Sequence, residues 1–126
     1  MSEPSSYKST GGLIRIAQAA QYSWQGLLAA VRHEAAFRQE LLIGLPLIVA
    51  APFLGKPWPQ TALLIGCIVA VFVVELLNSA IEAIADAVTV EKNELLGRAK
   101  DLGSAAVMFS IVIAVLIWAG VLWPSA

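Results

Sequence analysis

The chain has 126 residues, which is room for one domain without a separate catalytic module, so any activity has to be built from the elements of the fold itself. Of these residues 59% are hydrophobic and 13% are charged, and the mean hydropathy is +0.78. A water-soluble domain of this size does not bury so much apolar surface, which indicates a membrane protein. The formal net charge of −1, with no basic patch interleaved with aromatic residues, gives no support for nucleic-acid binding.

The first predicted element is an amphipathic helix over about residues 13–33. Its apolar side chains recur at helical spacing among arginines and glutamines, as in Leu13, Ile16 and Leu27 beside Arg15 and Gln18. This pattern is typical of a helix that lies on a membrane surface. A soluble amphipathic helix has the same pattern, but so apolar a chain offers little soluble core for it.

Three apolar runs follow, and each predicts a transmembrane helix: residues 35–54, 61–88 and 103–123. The first reaches spanning length only if its helix starts before Arg38, with the charged side chains snorkelling to the surface. Glycine and prolines at 55–60 predict a tight turn between the first two spans. The charged stretch 89–101 predicts a wet loop or frayed helix ends. The fold class is therefore an all-α membrane protein of a surface helix and three transmembrane helices.

The basic residues predict the orientation. Seven of the eight lie before the first span or between the second and third, and only Lys56 lies on the other side. By the positive-inside rule, the N-terminus and the second loop are cytoplasmic and the C-terminus faces outward.

The middle span carries a polar stripe of Glu75, Asn78, Glu82 and Asp86, at spacings of three, four and four residues. These spacings place the four side chains on one helix face. A carboxylate at mid-membrane costs ~2.5–3.5 kcal/mol, so such acids face protein, water or a cation and mark function by default. They fit a proton or ion relay, metal ligands or a general base, and the alternative is a stripe that joins helices by hydrogen bonds.

A metal at this stripe would favour Mg²⁺, which takes one or two carboxylates plus substrate phosphates. Glu34, at the cytoplasmic edge of the first span, is a candidate second ligand. Lys92, Arg98 and Lys100 in the adjacent loop are candidates for holding a polyphosphate. Topology alone also accounts for three basic residues at that place.

Four stretches together resemble the bacterial membrane diacylglycerol kinases. They are VELLNSAIEAIAD at 74–86, ELLGRAKDLGSAA at 94–106, AQYSWQG at 20–26 and EAAFRQE at 34–40, and the resemblance runs from about Arg15 to Trp123. It implies a homotrimeric kinase of the bacterial inner membrane, with a surface helix and a periplasmic C-terminus. The reaction it implies is transfer of the γ-phosphoryl group of MgATP to the hydroxyl of 1,2-diacyl-sn-glycerol, giving phosphatidate.

The resemblance also implies roles for individual residues. Glu75 would be the general base on the lipid hydroxyl, and Glu34 and Glu82 would hold Mg²⁺. The residues implied for the nucleotide are Arg15, Tyr22, Glu91, Asn93, Lys100 and Asp101. Those implied for the lipid side or for support of the site are Trp24, Arg38, Gln39, Asn78 and Ser104. Asp86 has no matched role and is interpreted as supporting the loop.

The sequence departs from the best-known members of that family at three positions. Lys92 and Asn93 stand where those members carry an aromatic residue and a histidine, and Gln18 stands where they carry a lysine. Some relatives on the same scaffold phosphorylate undecaprenol, which is the alternative substrate. Two alternatives from other classes are a small channel or transporter subunit and a non-catalytic helix-packing subunit.

Overall fold

The computed structural model of the protein describes residues 11–124; Lys8, which contributes to the predicted orientation, lies outside them. Within this range the elements are helices: α1 (Gly12–His33), α2 (Ala35–Ala50), the short 3-10 helix η1 (Ala51–Leu54), α3 (Trp58–Val88) and α4 (Glu94–Leu122). Three helices, with α2 and η1 counted as one, are long and apolar enough to cross a membrane. This confirms the predicted all-α fold with three candidate spans.

The turn between η1 and α3 is shorter than the predicted 55–60. Gly55 ends η1 in the left-handed region with φ 71°, a conformation that glycine adopts without steric cost. Pro57 and Pro59 then flank the start of α3 at Trp58, because a helix tolerates proline in its first turn. The Thr61 hydroxyl donates to the Lys56 carbonyl at 3.3 Å and closes the turn.

The second loop is also shorter than predicted, since α4 begins at Glu94 and leaves only residues 89–93 between the helices. The Asn93 side-chain oxygen accepts a hydrogen bond from the Leu96 amide at 3.0 Å, which caps α4 at this point. The charged residues at 94–101 therefore lie on the first two turns of α4. The charge of these residues predicts a loop. In the structure they are helical, because the Asn93 cap starts α4 before them.

Helix α3 is the centre of the fold. It packs along α4 over the longest contact and against α2 on another side, while α1 contacts mainly α2. The apolar core lies where these helices meet and includes Leu64, Cys67 and Val71 of α3 and Ala114 of α4. The Trp118 indole donates to the Leu64 carbonyl at 3.0 Å, so a hydrogen bond as well as packing joins α4 to α3.

Gly44 lets α2 approach α3. A Cβ atom at this position would lie 2.5 Å from Cζ of Phe72 and 2.8 Å from Cγ2 of Ile68. The Phe72 ring cannot easily retreat, because it packs edge-on against the buried Phe37 ring with centroids 6.0 Å apart.

Gly44→Ala is therefore expected to destabilise the protein by about 1–3 kcal/mol, the usual cost of overpacking a close contact. Gly120→Ala in α4 is the matched control, because a Cβ there meets nothing within 4 Å. The measurement is the free energy of unfolding in mixed micelles on titration with a denaturing detergent. Equal stability of the two variants would contradict the close α2–α3 contact.

Candidate active site

Helix α3 turns its polar stripe toward the other helices in a graded way. Glu75 is buried, with 4% of its surface exposed, and Asn78 is buried one turn later. Glu82 is half-buried and Asp86 is exposed. The stripe thus runs from a buried carboxylate to one that faces outward at the end of α3.

Four acids form what we call the carboxylate cluster: Glu34, Glu40, Glu75 and Glu82. The carboxyl group of Glu75 lies beside that of Glu40. It is also close enough to Glu82 and Glu34 to interact electrostatically with both. Glu34 reaches the cluster from the break between α1 and α2, and Glu40 from the second turn of α2. Tertiary packing therefore brings the three acids predicted for the reaction close to one another.

Glu40 is the member of the cluster that sequence reasoning missed. It stands directly before the apolar run that begins at Leu41, and the sequence alone gives it no role beyond that of a charged residue at the membrane edge. The signal that identifies it is its position within a candidate span, since an acid there needs a protein or water partner. In the structure the carboxyl group of Glu75 lies beside it.

Asn78 links the cluster to α4. Its amide nitrogen donates to Glu82 Oε1 at 3.2 Å, which holds that carboxylate toward the bundle. Its amide oxygen lies against Gly103 of α4 so closely that any side chain at position 103 would overlap it. Gly103 therefore allows α4 to cover the stripe at Asn78.

Several buried oxygens at the stripe have no hydrogen-bond partner within the described residues. They are Oε2 of Glu40, Oδ1 of Asn78 and Oγ of Ser79, together with Oε1 of Gln18 on α1. Buried polar atoms are normally paired, and leaving one unpaired costs about 1–3 kcal/mol. Glu40 belongs to the cluster and Asn78 is bonded to it, so two of the four unpaired oxygens belong to residues of the candidate site.

Lys100 and Asp86 form an ion pair between α4 and α3 at 2.5 Å. Both side chains are partly exposed, and Lys100 is also close enough to Glu82 to interact with it. The predicted loop 89–101, which Asp86 is interpreted as supporting, includes Lys100, and the structure places Lys100 on α4. This pairing was not visible in the sequence, because the two residues lie on different helices.

Some of the remaining predicted site residues form hydrogen bonds elsewhere in the structure, and others have none to the carboxylate cluster. Asn93 is occupied as the cap of α4, and the Glu91 amide bonds to the Thr89 hydroxyl at 2.9 Å. Arg38 donates to backbone carbonyls of α1. Tyr22 lies partly exposed on α1. Within residues 11–124, no side-chain hydrogen bond or ion pair ties the following positions to the cluster: Arg15, Trp24, Gln39, Asp101 and Ser104.

An open apolar cleft of about 500 Å³ begins at the cluster. Its floor is α3, and its two walls are α2 and α4, which both pack on α3 and leave a gap between them. Ile68, Val115 and Ala119 are among its apolar lining residues, Trp118 also lines it, and of all the residues lining it Glu40 alone is charged. The cleft therefore combines a long apolar surface with a carboxylate.

The donors present fit a magnesium ion held together with phosphates. Among residues 11–124, no three His, Cys, Asp or Glu side chains are arranged to hold a metal ion by themselves. Glu34 and Glu82 supply hard carboxylate oxygens close to Glu75. Two carboxylates completed by phosphate oxygens are a usual ligand set of Mg²⁺ in enzymes that act on ATP.

Sequence comparison places these features in a known family. The model of the family described as prokaryotic diacylglycerol kinase matches residues 21–122. A protein called diacylglycerol kinase from Escherichia coli (strain K12) is 50% identical over 115 residues, which are 91% of this chain and 94% of that protein.

Two further relatives carry the same name. The one from Pseudomonas aeruginosa is 44% identical over 119 residues, covering 94% of this chain and 97% of that protein. The one from Haemophilus influenzae is 41% identical over 117 residues, covering 93% and 98%. With the family model and these relatives both matching nearly the whole membrane part, the chain belongs to the prokaryotic diacylglycerol kinase family and is a kinase.

Proposed function

We propose that this protein transfers the γ-phosphoryl group of MgATP to the hydroxyl of 1,2-diacyl-sn-glycerol, giving phosphatidate. The observation that carries the proposal is a buried carboxylate, Glu75, beside Glu40, which is the acid that lines the apolar cleft. Such a site suits a substrate with long apolar chains and one reactive hydroxyl. Membership of a kinase family supplies ATP as the phosphoryl donor, typically with a divalent metal.

The cleft supports a lipid substrate by its size and its lining. Small-molecule sites usually enclose ~300–1,000 Å³ and are lined mainly by apolar side chains with few polar groups, and this cleft has about 500 Å³ and one charged lining residue. An acyl chain lying along α3 between Ile68 and Ala119 brings the glycerol end to Glu40. The Glu40 carboxyl touches that of Glu75, so the hydroxyl comes within reach of the proposed base.

Glu75 is the proposed general base. Its carboxylate accepts the proton of the lipid hydroxyl as the hydroxyl oxygen bonds to the γ-phosphorus. The bond from that phosphorus to the bridging oxygen of ADP breaks, and ADP carries away the electron pair. Little else is required of the protein, since phosphoryl transfer depends mainly on positioning and on charge neutralisation.

Glu34 and Glu82 are the residues proposed to hold Mg²⁺, which when bound neutralises charge on the ATP phosphates. Asn78 keeps Glu82 in place through its amide. Lys100 is proposed to contact the phosphates, since it stands beside Glu82 and is partly exposed. Asp101, Glu91, Asn93, Arg15 and Tyr22 are the further positions proposed for the nucleotide.

The assembly and its place in the cell are part of the same proposal. We infer a homotrimer in the bacterial inner membrane, with α1 on the cytoplasmic surface and the C-terminus in the periplasm. Large apolar side chains exposed along α4, among them Phe109 and Leu116, fit a surface covered by lipid or by another copy.

Purified protein in mixed micelles is expected to convert dioleoylglycerol and labelled ATP into labelled phosphatidate. Glu75→Gln keeps the shape but loses the base, and it is expected to lower kcat by about 10²–10⁴-fold. Glu94→Gln is the matched control, because Glu94 is an exposed acid on the first turn of α4.

Full activity of Glu75→Gln would overturn its role as base. Phosphorylation of undecaprenol in preference to dioleoylglycerol would overturn the substrate assignment and favour the undecaprenol alternative. Ion flux through proteoliposomes without ATP, and with no phosphorylated lipid, would favour a channel.

Filling the cleft is expected to weaken lipid binding selectively. Ala119 lines the cleft and is exposed, so Ala119→Phe places a ring where an acyl chain would lie. We expect KM for dioleoylglycerol to rise by roughly 10-fold, with KM for ATP unchanged. Ala106→Phe, at an exposed α4 position outside the cleft lining, is the control, and an equal effect of both variants would exclude the cleft as the lipid site.

The two residues of the Asp86–Lys100 pair are proposed to have different roles: Asp86 positions Lys100, and Lys100 contacts the substrate. A partly exposed ion pair contributes little, so Asp86→Asn is expected to raise KM for ATP by less than about fivefold and to leave kcat unchanged. Lys100→Met removes a charge aimed at the transferring phosphates and is expected to lower kcat by about 10²–10³-fold. Steady-state kinetics at varied ATP concentration measures both, and similar losses in the two variants would contradict this division of roles.

A further inference from the structure

One arginine, Arg38, forms side-chain hydrogen bonds across the corner between α1 and α2. Helix α1 ends at His33 and α2 begins at Ala35, so the direction changes at Glu34, whose φ and ψ of −114° and 103° are extended. The Glu34 side chain makes no capping hydrogen bond at the start of α2. The geometry of the corner therefore depends on contacts made by its neighbours.

Arg38 supplies those contacts from one turn into α2. Its Nη1 donates to the Val31 carbonyl at 2.8 Å and to the Arg32 carbonyl at 3.2 Å. The last carbonyls of an α-helix have no partner within the helix, and a cation at this end also interacts favourably with the helix dipole. The Arg38 amide meanwhile bonds to the Glu34 carbonyl at 3.2 Å, so the same residue belongs to the first turn of α2.

We propose that Arg38 is a positioning residue that fixes the α1–α2 corner and thereby keeps the Glu34 carboxylate close to Glu75. The inference rests on the proposed function in one respect, that Glu34 contributes to a Mg²⁺ site. The tie itself is independent of that role. Glu34 lies inside the loop that the guanidinium closes between Val31 and Arg38, and its charge already reaches Glu75.

The tie also sets where α1 lies. This helix makes its main contacts with α2, so little else orients it within one copy of the chain. Arg15, Tyr22 and Trp24 all lie on α1, and their place relative to the cluster follows from the angle at the corner. Losing the tie is therefore expected to loosen the metal side of the site and leave the cleft between α2 and α4 intact.

The experiment compares Arg38→Gln and Arg38→Lys with the matched control Arg32→Gln, all in the full-length protein in micelles. Arg32 has the same charge beside the same corner, but it contributes only its backbone carbonyl, which the substitution keeps. Two quantities are measured: amide hydrogen exchange of the segment 27–37, and the free Mg²⁺ concentration for half-maximal phosphorylation of dioleoylglycerol.

In Arg38→Gln both the exchange rate of segment 27–37 and the Mg²⁺ requirement are expected to rise roughly 10-fold, as for loss of charge-assisted hydrogen bonds. Arg38→Lys keeps a cationic donor that reaches the two carbonyls, so it is expected to recover most of both quantities. Arg32→Gln is expected to resemble the unmodified protein.

Unchanged exchange in Arg38→Gln would overturn the tie, and faster exchange with an unchanged Mg²⁺ requirement would overturn the positioning of Glu34. An equal effect of Arg32→Gln would show that the charge at the membrane edge, and not the tie, is responsible. If Arg38→Gln does not fold, Arg38→Lys carries the test through its smaller shift in both quantities. Absence of kinase activity in the unmodified protein would contradict the proposed function alone, since the exchange comparison still decides on the tie.

Discussion

A carboxylate inside an apolar helix has to be kept away from lipid. The packing of the other helices around Glu75 meets this constraint. Its helix, α3, is among the most apolar segments of the chain, and yet Glu75 is nearly inaccessible. Both α2 and α4 pack against α3, so the face that carries the polar stripe is the one that the bundle covers. Burial of this acid and assembly of the helices therefore depend on the same contacts.

Polar contacts also decide how the helices approach one another, since between helices in lipid the hydrophobic effect gives little preference for one partner. Asn78 fits against Gly103 without space for a side chain, and Trp118 donates to the Leu64 carbonyl across the α3–α4 contact. Gly44 likewise allows the close approach of α2 to α3, because a side chain there would overlap Phe72. Small residues and a few hydrogen bonds thus determine the packing of a chain that is otherwise apolar.

The arrangement of α2 and α4 on a shared α3 also explains why a polar site and an apolar cleft adjoin. Two helices that pack on one neighbour without touching each other over much of their length leave a groove, and Glu40 stands where that groove meets the cluster. A lipid substrate needs this combination, because its chains are apolar and its reacting hydroxyl is polar. Beside the cluster, Lys100 and the α1–α2 corner add the charges and the geometry suited to a phosphate donor.

The sequence by itself determined the solvent, the number of long helices and the residues of the polar stripe. Hydropathy and helical spacing are local properties, so runs near the length of a bilayer core and the spacing from Glu75 to Asp86 could be read directly. The family signature added roles for Glu75, Glu34 and Glu82 that the residues alone left open.

Tertiary structure decided what depends on contacts between helices that are distant in sequence. It placed Glu40 against Glu75, paired Asp86 with Lys100 and opened a cleft between α2 and α4. It also shortened the second loop, because the Asn93 cap stabilises a helix that charge alone did not predict. None of these follows from periodicity, since each is set by the angles and distances at which separate helices pack, and those are fixed by steric fit at positions such as Gly44 and Gly103.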